Sequence, residues 1–287
     1  MRKYGFMGLV TLSLASMACV SPSNAQTAGD ITLCSGSPGR NYDSVMRGIG
    51  QELTNRGYNV TIKNLGGSED IIRNLENGSC SYGPAQKDIH YKMAIDDAQI
   101  NQSVTPIALL YHEAMTMFCS SDSNIDELSD ITGDTTVIVD SIGSGSSLTW
   151  ENMVDVETKY GNKSDWINAK TSFTPLDEAT AALSLGQADC AFGVGAVPSN
   201  WALELQKAGM TVAWVYDKDL NDLMVGKSSL YPAIRVPYGA YESKFDTYAI
   251  PAILFRSSAV KKNPEVDSLI KRIAPSMGSK YNSVKIN

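Results

Sequence analysis

One pattern, present twice, most narrows what this chain can fold into. A short apolar run stops in a turn of small residues, and an amphipathic helix follows. The first copy is Ile31 to Tyr42, reading Ile-Thr-Leu-Cys-Ser-Gly-Ser-Pro-Gly-Arg-Asn-Tyr. The second is Thr135 to Trp150, reading Thr-Thr-Val-Ile-Val-Asp-Ser-Ile-Gly-Ser-Gly-Ser-Ser-Leu-Thr-Trp. Gly36 and Gly39 permit tight backbone turns that other residues resist. Ser35, Ser37 and the N–H groups at the helix start then face the space above the strand. Such a helix start favours an anion, because its N–H groups lack partners in the helix and the dipole is positive there. Ser and Gly are also ordinary turn residues, so either copy alone reads equally as a plain βα turn. The pair points to two α/β lobes with a ligand between them.

The N-terminus reads as a leader. Arg2 and Lys3 precede an uncharged, mostly apolar run from Phe6 to Val20, and Ser23-Asn24-Ala25 forms a small-x-small cleavage site. This is the layout of a secretory signal peptide, too short for a membrane span. Lipid attachment at Cys19 is the weaker alternative, because Ser16-Met17-Ala18 lacks the leading Leu of a bacterial lipobox. Cleavage after Ala25 would leave 262 of the 287 residues and move the formal charge from −7 to −9, through loss of Arg2 and Lys3. An acidic exported chain argues against nucleic acid, which needs a basic face. Four cysteines remain: Cys34, Cys80, Cys119 and Cys190. In an exported chain they allow two disulfides in any of three pairings. Because each lies in an apolar, strand-like run, buried thiols fit equally well.

Strand and helix patterns then alternate along the chain. Tyr42, Val45, Met46, Ile49 and Leu53 repeat at helical spacing. A strand is expected at 59–63, a short helix from Ser68, a third strand at 80–85 and a helix opened by Gln86-Lys87-Asp88. Two further strands are expected at 107–111 and 114–120, with the crossing between lobes at 121–124. The alternation restarts with strands at 135–139, 170–173, 190–195 and 211–216, and helices from Ser146, over 176–185 and over 198–208. Leu75-Glu-Asn-Gly-Ser-Cys80-Ser-Tyr82-Gly83 echoes Leu185-Gly-Gln-Ala-Asp-Cys190-Ala-Phe192-Gly193, each spanning a helix end, a turn and the third strand of its lobe. A strand over 247–255 contains Pro251, which places it at an edge or a crossing. A last amphipathic helix covers 263–277. This order argues for mostly parallel sheets flanked by helices. The expected organisation is a signal peptide over 1–25, lobe I over 26–120, lobe II over 121–245 and a return to lobe I over 246–287.

With these motifs in place, the chain resembles the TAXI class of solute receptors of TRAP-type transporters. The matching segments are Ser35-Gly36-Ser37-Pro38-Gly39-Arg40-Asn41-Tyr42, Gly66-Gly67-Ser68, Tyr82-Gly83-Pro84-Ala85-Gln86-Lys87-Asp88, Ser144-Gly145-Ser146, Gly193-Val194-Gly195-Ala196-Val197-Pro198, Tyr231-Pro232 and Val236-Pro237-Tyr238-Gly239-Ala240-Tyr241. They follow the family's order across nearly all of the mature chain. The resemblance implies the two-lobed type II periplasmic-binding fold, with a cleft between the lobes that closes on ligand. It implies glutamate, glutamine or a related small organic acid as ligand, and a TRAP membrane component as partner. Departures are Arg40, where the family has a small residue, a short C-terminal extension after Tyr281, and the four mature cysteines.

A receptor must hold a charged solute without reacting with it. Ser35, Ser37 and Tyr42 from the first turn, Gly67 and Ser68 from the second, and Gln86 from the third are the candidates from one lobe. Ser144, Gly145, Ser146 and Gly195 are those from the other. Ser68 reads equally as a helix cap, and Tyr42 equally as core. Arg40 could grip a carboxylate through two parallel hydrogen bonds or stand as a solvated surface residue, and Arg235 carries the same ambiguity. No HExxH, Gly-x-Ser-x-Gly or complete dinucleotide fingerprint is present, and the turns offer mostly hydroxyls and amides. No catalytic residue, cofactor or metal is expected. A small anionic or zwitterionic solute is the expected partner, with the protein periplasmic and monomeric. An ABC-transporter binding protein, or an orphan receptor that presents its ligand to a sensor, would use the same cleft.

Overall fold

The computed structural model describes residues 29–225 and 228–281. The signal-peptide reading over 1–25 lies outside them.

The first half begins with β1 (Asp30–Ser35), α1 (Asn41–Thr54), β2 (Asn59–Asn64), α2 (Ser68–Glu76), β3 (Tyr82–Gln86), α3 (Lys87–Asp96) and α4 (Ala98–Ser103). A long strand, β4 (Val104–Cys119), leads out of it. The second half holds β5 (Thr136–Ile138), α5 (Gly145–Tyr160), β6 (Lys170–Ser172), α6 (Ala179–Ser184), β7 (Cys190–Gly195), α7 (Asn200–Lys207), β8 (Thr211–Ala213) and α8 (Lys218–Asp222). A small hairpin of β9 (Met224–Val225) and β10 (Ser228–Ser229) and the strand β11 (Ala233–Val236) precede a second long strand, β12 (Phe245–Ser257). The chain then closes on the first half with α9 (Pro264–Gly278).

The strands run in the order β2-β1-β3-β12-β4-β7-β5-β6, with β11 beside β12 and β8 beside β4. β1 is parallel to β2 and β3, and β5 is parallel to β6 and β7. β4 and β12 lie antiparallel to their neighbours in the middle. These are the two α/β halves that the repeated strand–turn–helix unit implies, joined through two long strands. Alternate side chains of each strand feed opposite layers. Leu33 packs under α1 and α9 with Val45, Ile49 and Ile270, while Cys34 faces Ile71, Ile72 and Ile89 of α2 and α3. In the second half Met117 lies with Trp150 and Met153 of α5, and Phe118 with Trp201 and Leu205 of α7.

Two expectations need correction. The strands expected at 107–111 and 114–120 are one unbroken strand. His112 and Glu113 continue it opposite Pro251 and Ile250 of β12, and the Glu113 carboxylate has tyrosine hydroxyls to receive it, so a charged residue does not end the strand. The cysteines are also not buried thiols. Cys34 bonds Cys80 and Cys119 bonds Cys190. Cys80 and Cys190 are equivalent in the internal echo, yet their partners differ. β3 lies beside β1, whereas β7 lies beside β4 with Cys190 directly opposite Cys119.

Pro251 sits at a change of neighbours. One side of β12 pairs with β11 up to Tyr248 and with β3 only from Ala252. The missing N–H of the proline therefore falls in the gap between the two.

Candidate functional site

The C-terminal ends of β1, β5 and β7 and the starts of α1, α2, α5 and α7 converge on one cavity of about 650 Å³. In open α/β sheets this end of the strands is where ligands sit. A second cavity of about 480 Å³ lies at the opposite end, around Gly29, Asp30 and Lys262, where, among the described residues, the start of α9 is the one helix N-terminus in its wall.

The cavity draws its wall from both halves. Ser37, Arg40, Tyr42 and Gly67 come from one side, and Ser144, Gly145 and Gly195 from the other. Ser35, Ser68, Gln86 and Ser146 do not line it. Ser35 is fully buried, and its Oγ donates to Asp43 Oδ1 at 3.2 Å. Ser68 Oγ accepts from the Gln86 backbone N–H at 3.1 Å, tying α2 to the end of β3. Ser146 Oγ accepts from the Val194 N–H at 3.0 Å and so fixes α5 on β7. These hydroxyls hold the turns that present the wall. Arg235 is paired with Asp246 at 2.5 Å and lies away from the cavity.

Local chemistry explains the turns. Gly39 takes a left-handed backbone, with φ at +78°, and its N–H donates to Asp43 Oδ2 at 2.9 Å. Burial opposes ionisation of Asp43, but hydrogen bonds from Arg47, the Gly39 N–H and Asn64 outweigh it and hold the carboxyl well below its usual range. Ser144 caps α5 by accepting from the Ser147 N–H at 3.1 Å. Asp140, at the end of the second unit's strand, also adopts a left-handed backbone and accepts from the Ser141 N–H at 2.8 Å. A short polar side chain tolerates that conformation better than most.

The two halves touch closely around the cavity. A side chain on Gly67 would stand 3.3 Å from the Gly143 carbonyl oxygen. One on Gly145 would stand 1.9 Å from Gln86 Oε1. A side chain at Gly67 would press on the opposite backbone, and one at Gly145 would have to displace the Gln86 amide. At the mouth, Arg40 Nη2 meets Asp177 Oδ2 at 2.6 Å, with both side chains more than half exposed. Lower down, the buried Asp88 of α3 accepts from Thr149 Oγ1 of α5 at 2.8 Å and from the Tyr231 hydroxyl at 3.3 Å. Burial pushes the Asp88 carboxyl up to about 6.

The residue that sequence reasoning missed is Glu113. It lines the cavity from the middle of β4, only 6% exposed. Tyr42 donates to its Oε2 at 3.2 Å and Tyr111 to its Oε1 at 3.4 Å. Burial raises its carboxyl to about 7, further helped by the charge on Asp88, against the hydrogen bonds that favour ionisation. The cleft therefore contains a titratable acid that comes from a strand rather than from the turns. No histidine or cysteine joins it among the described residues. His90 instead stacks on Phe255, with ring centroids 4.5 Å apart. Lys280 and Tyr281 complete one edge of the cavity, and Trp201 lies in its wall.

A conserved-family profile, that of the NMT1-like family, matches residues 33–274. This chain belongs to the NMT1-like family. Comparison with curated protein sequences returns no match. Solved structures share the fold of this NMT1-like protein at low identity. A protein from Bordetella bronchiseptica RB50 is 14% identical with a TM-score of 0.54, over 86% of this chain and 70% of that one. The effector-binding domain of QuiR in complex with shikimate is 13% identical with a TM-score of 0.52, over 89% and 99%. The substrate-binding protein of an amino acid ABC transporter is 13% identical with a TM-score of 0.50, over 89% and 96%. The fold is that of the type II periplasmic-binding proteins: two α/β lobes, helices on both faces of the sheet, and a cleft between. No helix among the described residues is long and apolar enough to cross a membrane.

Proposed function

We propose that this chain is an extracytoplasmic solute receptor that binds a small organic acid or amino acid between its lobes and delivers it to a membrane transporter. The observation that carries this reading is the polar cavity between the halves, walled by the starts of four helices. Helix starts favour an anion, and Arg40 and Lys280 stand at the same cavity. The acidic Glu113 refines the ligand class. A carboxylate there opposes a second carboxylate but suits an ammonium group, so an amino acid such as glutamate or glutamine fits better than a dicarboxylate that lacks an amine.

In this reading lobe I spans 26–120, lobe II spans 121–245 and 246–287 returns to lobe I, with β4 and β12 as the hinge. Disulfides are at home in an oxidising compartment, which supports a periplasmic location reached through a cleaved leader. The motifs shared with TAXI receptors favour a TRAP membrane component as partner and a monomeric receptor. The protein binds and releases its ligand without turning it over. Delivery to an ABC transporter is the second reading, supported by the fold shared with an amino acid ABC transporter's binding protein.

A thermal-shift screen against amino acids and dicarboxylates tests this. Binding to the native state alone raises stability by mass action, so millimolar glutamate or glutamine should raise the Tm by several degrees. Arg40→Ala should weaken that binding at least tenfold. A shift with no compound of either class, or turnover of the bound compound, would sink the proposal.

A further inference from the structure

Away from the cleft, three carboxylates meet at the far end of α5. Glu157 on its last turns, and Asp217 and Asp219 at the start of α8, each bring one carboxylate oxygen within 4.8 Å of the others. Glu157 is wholly buried, and its Oε2 has no hydrogen-bond partner. Its Oε1 accepts from the Ser164 N–H at 2.9 Å and the Ser164 hydroxyl at 3.0 Å. Asp217 Oδ2 accepts from the Trp166 indole N–H at 3.1 Å, and Asp219 Oδ2 from the Asn162 backbone and side-chain N–H groups at 2.9 and 3.0 Å. Every one of these donors is neutral. The neighbouring Lys218 is engaged by Asp222, and no ion pair among the described residues involves any of the three acids.

Three like charges this close repel, and a buried carboxylate without a counter-charge is costly. A cation relieves all three and gives Glu157 Oε2 the partner it lacks. We infer that Glu157, Asp217 and Asp219 form a divalent-cation site, and that the ion is calcium. The donor set is all oxygen, with no histidine or cysteine, which selects a hard ion over zinc or copper. The ligands come from the end of one helix and the start of another, with the Ser164 hydroxyl beside them. Calcium accepts such irregular surroundings with six to eight oxygens, whereas magnesium demands a near-ideal octahedron.

The position gives the ion a use. α5 begins at the cleft wall with Gly145, capped by Ser144, and carries Glu157 on its last turn before Tyr160. Tyr248 of β12 accepts from the Asp217 N–H at 3.0 Å and donates to the Asp217 carbonyl. A bound cation therefore fastens the helix that opens on the ligand cavity to a strand of the hinge.

The test is a calcium titration of the full protein after EDTA treatment, read by Tm and by tryptophan emission, since Trp166 bonds directly to Asp217. We expect a saturable rise in Tm and a change in emission by about 10 mM calcium, reversed by EDTA, with a much weaker response to magnesium. The double variant Asp217→Asn/Asp219→Asn should lose the response. Asp222→Asn, which alters an acid on the same helix that is already paired with Lys218, should keep it. Absence of a saturable response in the stripped, folded parent overturns the inference, whatever the variants do. So does an equal response in the parent and the double variant.

Discussion

Arg40 shows how a single residue can be placed by sequence and still have its partner decided elsewhere. Its place beside the first turn follows from local order, and it does reach the cavity. Its partner, Asp177, lies on the opposite lobe, 137 residues along the chain. An exposed pair of this kind contributes little stability on its own, so Arg40→Ala is expected to leave the folding stability nearly unchanged. Glu113 is the opposite case. Nothing near it in sequence marks it as a site residue, because it sits mid-strand and outside every turn motif. Its raised pKa carries a sign that can be checked. The native state holds this proton above the pH at which the unfolded chain releases it. Glu113 therefore lowers stability as pH rises from about 4.5 towards about 7. Glu113→Gln should remove that loss, a gain of roughly 2–3 kcal/mol at pH 8 relative to pH 4.5, measured by urea unfolding at both pH values. An unchanged pH slope in the variant would show that this carboxyl ionises freely in the folded protein.

Elements were the most legible level. β7 falls on the expected 190–195, and α1, α2, α5 and α9 lie within a residue or two of their expected positions. Helical spacing, glycine stops and caps such as Ser144 are local signals, and these helices obey them. The local pattern gives two strands, at 107–111 and 114–120, in place of β4; its continuity through His112 and Glu113 depends on pairing with β12, which is distant in sequence. The start of α5 is where an element becomes a working part. Gly145 leaves no room for a side chain against Gln86 of the other lobe. Gly145→Ala should hold the lobes apart, weakening ligand binding at least tenfold while lowering the Tm by only a few degrees. Adding Gln86→Ala should recover part of the binding, a coupling that a double-mutant cycle reads directly. Additive losses in the two variants would mean that this contact does not control closure.

For the whole molecule, two disulfides and two shared strands set how the lobes are held. The bridges span 46 and 71 residues. In the chain-entropy account each restrains the unfolded chain by roughly 4 kcal/mol. Cys119→Ala/Cys190→Ala should therefore lower the Tm by about 10 °C in calorimetry under non-reducing conditions, and a Tm equal to the parent's would show that the bridge is absent in solution. The sequence by itself determined the alternation of strands and helices, the two strand–turn–helix units, and the glycines and serines of the turns, because each depends on residues a few positions apart. Only the tertiary structure decided which cysteines pair, that Ser35, Ser68 and Ser146 support the cleft from behind, and that Glu113, and separately Glu157 with Asp217 and Asp219, come together. Those outcomes depend on which strands lie side by side once β12 carries the chain back across both lobes, and no spacing along the chain encodes that neighbourhood.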